Sequence, residues 1–152
     1  MKRFFLVVLV LTGLALCSCA TMNPVIPLPN DILIVSPDPN LPPEIKAFSG
    51  KWGGRWWNPS GPSNHGLDAV LIVEEIINER QATVVFGWGN SFEWETKEGW
   101  SRFKANFSQN KKGITLSWIW ARTKSEFRVK GDKLEGVVYG NYTNFVTMRR
   151  LQ

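Results

Sequence analysis

Phe48-Ser-Gly-Lys-Trp-Gly-Gly-Arg-Trp-Trp57 carries three of the chain's eight tryptophans. At the two-residue period of a β-strand, Phe48, Gly50, Trp52, Gly54 and Trp56 share one face, and Ser49, Lys51, Gly53, Arg55 and Trp57 share the other. One face is aromatic with glycine gaps and the other is mostly polar. That is the pattern of a strand with one side in a core. The residues before it read as delivery and tether, and those after it as strands that pair with it.

Downstream, Asn58–Gly66 is a run of turn formers and hence a loop; it holds His65, the only histidine. A second strand spans Leu67–Ile77 and a third Ala82–Gly89, followed by an acidic-aromatic loop over Asn90–Glu98. The fourth, Trp100–Ser108, alternates Phe103, Ala105 and Phe107 against Arg102, Lys104 and Asn106. Ile114–Trp120 places Ile114, Leu116, Trp118 and Trp120 on one side. Phe127 and Val129 mark a sixth strand, Leu134–Gly140 the seventh and Asn144–Leu151 the eighth. No helical period longer than a turn survives. Eight strands at short, regular spacing predict an all-β antiparallel up-and-down meander, which hides its edges best by closing into a barrel.

With the strands counted, Gly50-Lys-Trp52 resembles the Gly-x-Trp motif that opens calycin barrels, the group of lipocalins, fatty-acid-binding proteins and avidins. The doubled Phe48-x-Gly-x-Trp-x-Gly-x-Trp56, with Val85-Phe-Gly-Trp-Gly89, is also similar to small calycin-like domains of bacterial exported proteins. The resemblance covers roughly residues 47–151, within a domain of residues 46–152, and implies that Trp52 plugs one end; Trp56, on the same face, reads as part of that closing plug, with Gly50 and Gly54 leaving room for both. It further implies that an arginine near the last strand packs across Trp52; Arg149 is the assigned partner and Arg150 the other choice. A resemblance of this kind implies a fold and not an activity.

Upstream, Lys2 and Arg3 precede an apolar run of about a dozen residues, too short for the roughly 20 that a membrane span needs. This is the layout of a secretory signal over residues 1–18. Leu16-Cys17-Ser18-Cys19 resembles the lipobox of bacterial lipoproteins. The resemblance implies that Cys19 becomes the acylated N-terminus (palmitate-type chains), and that Ala20 directs it to the periplasmic face of a Gram-negative outer membrane. Residues 19–45 then hold seven of the nine prolines and read as a polyproline spacer. Asp31-Ile-Leu-Ile-Val35 interrupts it, either packing along the barrel or pairing with its edge, or serving as a partner-docking strand.

The charge of +5 falls to +3 once Lys2 and Arg3 leave with the signal, since 16 basic residues then face 13 acidic ones. No basic block is dense enough for a nucleic-acid footprint. No cysteine lies beyond Cys19, so the domain stands on its core without a disulfide. No metal site, cofactor motif or nucleophile constellation is legible. Glu74 and Glu75, being neighbours, are expected on opposite faces of a strand, and Glu93, Glu95 and His65 are the residues that would support an enzyme if they converged.

Trp52, Trp56, Trp118 and Trp120 fit a barrel core. Trp57, Trp88, Trp94 and Trp100 border loops and are the candidate ligand-binding residues, because exposed rings stack on planar or apolar ligands. The reading is thus a lipid-anchored, non-enzymatic module for a small apolar ligand or a glycan. The alternative is an envelope protein that docks a protein partner through surface aromatics.

Overall fold

The computed structural model describes residues 26–61 and 66–152. The expected signal peptide, Cys17, Cys19, the first part of the expected tether and His65 lie outside them. Eight antiparallel strands form a closed up-and-down barrel: β1 (Gly50–Trp57), β2 (Leu67–Asn78), β3 (Gln81–Trp88), β4 (Gly99–Asn110), β5 (Gly113–Trp120), β6 (Thr123–Lys130), β7 (Lys133–Tyr139) and β8 (Thr143–Arg150). Closure comes from β1 pairing with β8 (Trp52 opposite Arg150, Trp56 opposite Val146), so no strand edge is left open. This architecture is consistent with a calycin-like fold.

The predicted inward faces are the buried ones. Phe48, Trp52 and Trp56 of the first stretch join Leu71, Val84, Ala105, Leu116, Phe127, Leu134 and Met148 in one core. A single helical turn, α1 (Pro43–Lys46), precedes β1 and lays Ile45 across the lower end.

That end is sealed by Trp52, whose Nε1 donates to the Phe48 carbonyl at 2.8 Å. Arg150, not Arg149, completes the seal, with its guanidinium 4.1 Å from the Trp52 ring centroid. The reason is register. Arg150 lies opposite Trp52 and shares its inward face, whereas Arg149 pairs with Gly53 on the outer one. Arg150 also donates to the Ser49 and Ala47 carbonyls at 2.7 Å each, tying the last strand to α1. Gly50 has a φ of +108°, a conformation that a β-carbon disfavours, and the Arg150 guanidinium fills the space beside it. Gly54 makes room for β8 rather than for the tryptophans: a β-carbon there would stand 2.5 Å from the Thr147 carbonyl.

Two further expectations change. A bulge between Val73 and Glu75 sets both Glu74 and Glu75 on the outer wall rather than on opposite faces, because the extra residue breaks the alternation. The described part of the tether is not a free spacer. Ile26, Pro27 and Leu28 crowd Gly87, Asp31 bonds Arg102, and the Val35 amide donates to the Glu74 carbonyl at 2.7 Å. Residues 26–42 thus form a strap along the outer wall of β2, β3 and β4. Asp31–Val35 adds no strand, since a closed barrel offers no edge to pair with.

The strap has a physical cause in β2 and β3. Ile72 and Val85 face each other across these strands and point outward, yet both are wholly buried and stand apart from the interior core. Strands that are apolar on both faces need a cover on both. Arg102 clamps the cover, forking to both Asp31 oxygens (2.8 and 3.1 Å) and to both Glu74 oxygens (2.8 and 3.1 Å). The guanidinium holds the Asp31 carboxyl below its ordinary range, chiefly by these hydrogen bonds.

Candidate functional site: an aromatic cup at the barrel mouth

Strand direction defines two ends. The turns after β2, β4 and β6 lie with α1 and the C-terminus at the plugged end, and the loops after β1, β3, β5 and β7 surround the other. Between them the interior is filled by rings. Trp118 stacks on Phe127 (centroids 5.2 Å, planes 10° apart) and on Phe103 (5.4 Å, 19°). Trp56 meets Phe127 edge-on at 5.9 Å. This layer is a floor, and above it opens a cavity of about 330 Å³, at the small end of ligand pockets.

Trp88 and Trp120 form one wall, their rings 5.2 Å apart. The Trp88 indole is fixed by donating to the Lys97 carbonyl at 2.7 Å. Trp94 enters from the β3–β4 loop, where Ser91 and Thr96 exchange backbone hydrogen bonds and the Trp94 amide donates to Ser91 Oγ at 3.3 Å. Polar atoms come from Thr96, Thr123, Ser125 and Asn144, and Asn144 Oδ1 accepts a hydrogen bond from Asn58 Nδ2 at 3.0 Å. No charged side chain lines the cup among the described residues.

The four candidate tryptophans divide evenly. Trp88 and Trp94 line the cup. Trp57 points outward and packs on Phe145 at 5.5 Å, opposite it in register. Trp100 lies on the outer wall of β4 opposite Gly87, half exposed. Three tryptophans assigned to the core also line it: Trp118 in the floor already described, Trp120 and Trp56. Trp120 is 48% exposed because its inward position is the last of β5, where the barrel opens. Trp56 does not join Trp52 in a plug; four residues along β1 it has risen to the floor of the cup. Their parity was readable, but their height in the barrel needs the register of every strand.

Glu93 and Glu95 are exposed in the turn beside Trp94 and do not line the cup, and Glu93 Oε2 accepts from Ser91 Oγ at 3.1 Å. No group of three or more potential metal ligands occurs among the described residues. No protein-family model matches the chain, and no curated protein matches it either.

Proposed function

We propose that the protein is an exported lipoprotein, acylated at Cys19 and held at the periplasmic face of the outer membrane, whose barrel binds a small apolar ligand without catalysis. The observation that carries this is the cup itself: among the described residues, walls of tryptophan and phenylalanine with four polar side chains and no charged one. Such a lining favours desolvation of apolar surface and offers little to the many hydroxyls of a glycan. The approach of Arg150 to Trp52 above Gly50 supports the calycin resemblance. The lipobox at Leu16–Cys19 is the basis for the anchor.

Titration with a fluorescent fatty acid, read by quenching of tryptophan emission, tests the binding. Saturable uptake that Ser125→Trp abolishes is expected, because the new ring would occupy the cup. Uptake indifferent to that change would remove the cup as the site. Native mass spectrometry of protein from its source envelope would then identify the retained molecule. For the anchor, Cys19→Ala should leave the chain soluble after export; continued partition into membranes would overturn the assignment.

A further inference from the structure

The two ends of the barrel differ in what they show to solvent. The turns at the plugged end are charged or polar: Glu79-Arg80, Lys111-Lys112 and Gly131-Asp132. The plugged end exposes Ile77 and Leu151 in part, but the most exposed large apolar side chains of the barrel gather at the mouth. Phe92 is 95% exposed on the β3–β4 loop, Tyr142 72% on the β7–β8 loop and Ile119 72% at the end of β5. Trp57, Trp120 and Tyr139 add to them at the ends of their strands. An aromatic rim of this kind has little reason to face water. Tryptophan and tyrosine are favoured where apolar and aqueous phases meet.

The strap says which phase that is. Ile26 lies against Gly87 and Gly89, at the mouth end of β3, and the chain descends from there to Asp31, Val35 and α1. Cys19 is seven residues before Ile26, a length of at most about 25 Å when fully extended. An anchor at Cys19 therefore keeps the mouth within about 25 Å of its bilayer. Short tethering raises the effective concentration of the rim at that surface, so weak insertion suffices.

We propose that the mouth end docks on the bilayer that holds the Cys19 anchor, with Phe92, Ile119, Trp120 and Tyr142 at the headgroup–acyl boundary. The cup then opens into lipid and takes an acyl chain directly from the membrane. This rests on the lipoprotein and apolar-ligand reading above. Lys97, Arg122 and Lys124 at this end are offset by Glu93, Glu95 and Glu98, so the docking depends on aromatic insertion and requires no anionic lipid.

The test uses the full chain in phosphatidylcholine vesicles. Nitroxides are attached at Phe92→Cys and Tyr142→Cys on the mouth, and at Lys111→Cys and Asp132→Cys on the opposite end, with the unsubstituted chain as labelling blank. The expected result is a several-fold higher ratio of oxygen to aqueous nickel collisions at the mouth labels than at the opposite ones. Equal, water-like ratios at both ends would overturn the docking. Protection of the mouth from both reagents would overturn it too, in favour of a second copy of this chain. Labelling of the blank would remove the anchor and with it the tethering argument. Fatty-acid titration of the same samples separates the two ideas. Uptake with a water-exposed mouth sinks the docking alone, and an immersed mouth without uptake sinks the ligand reading alone.

Discussion

At the plugged end, Trp52 is wholly buried, its indole N–H is bonded and a guanidinium covers its ring. At the mouth, Trp120 is half exposed against Trp88 and its inner side lines the open cup. Both residues stand at inward positions of the same barrel, and both fit the same alternation. What separates them is whether another part of the chain closes over the ring. α1 and Arg150 do so below, and the loops after β3, β5 and β7 stop short above. Stability is concentrated in one end and the opportunity for binding in the other.

The largest expected effect breaks the plugged end. Trp52→Ala removes a buried aromatic and should cost about 3–5 kcal/mol. Urea unfolding reads it, and an unchanged midpoint would mean that Trp52 does not hold the core. Next comes the choice between adjacent arginines. Arg150→Ala loses the ring contact and two carbonyl partners and should cost about 1–2 kcal/mol. Arg149→Ala, on the outer face, should stay within about 0.5 kcal/mol. Equal losses would contradict the register.

At the mouth the signs reverse. Trp120→Ala should lower the affinity for an apolar probe roughly tenfold, the equivalent of about 1.4 kcal/mol, while leaving the unfolding midpoint nearly unchanged. A large fall in stability with binding intact would erase the contrast between the ends. The smallest effect concerns the strap. Because Arg102 depresses the Asp31 value in the folded state, the stabilisation from this pair is complete above the ordinary carboxylate range. It is lost as pH falls through the lowered value. Amide resonances of Ile32–Val35 should shift on acidification before those of the barrel, and Asp31→Asn should remove that early shift. Strap and barrel signals moving together would show that the clamp does not act separately.

Much of the fold was legible because strand alternation is a local property. Phe48, Trp52, Phe103, Ala105, Leu116 and Trp118 were each assigned their face from their neighbours alone. That Asp31–Val35 packs along the barrel was among the readings of the sequence, but the full strap from Ile26 to α1 was not, although its signal was present. Ala69–Val73 and Val84–Phe86 are apolar at successive positions, and such runs mark strands covered on both faces. Proline density in the tether drew attention away from the outer wall that needed it. Half of the candidate site was legible. Trp88 and Trp94 were recognised as aromatic residues at loop borders, but Trp57 and Trp100 share that description and point elsewhere. Loop borders identify rings near an end of the barrel, and only the direction of each side chain distinguishes lumen from wall.

The amino-acid sequence alone determined the strand count and the inward faces, because both follow from a two-residue period and local turn chemistry, while the plugging role of Trp52 was what the calycin resemblance implied. The tertiary structure decided that Arg150 rather than Arg149 covers Trp52, that Trp56 and Trp120 belong to a cup, and that the tether returns along the wall to bring Ile26 beside the mouth. Those outcomes depend on contacts between segments far apart in the chain, such as β1 with β8, whose register no connecting turn fixes.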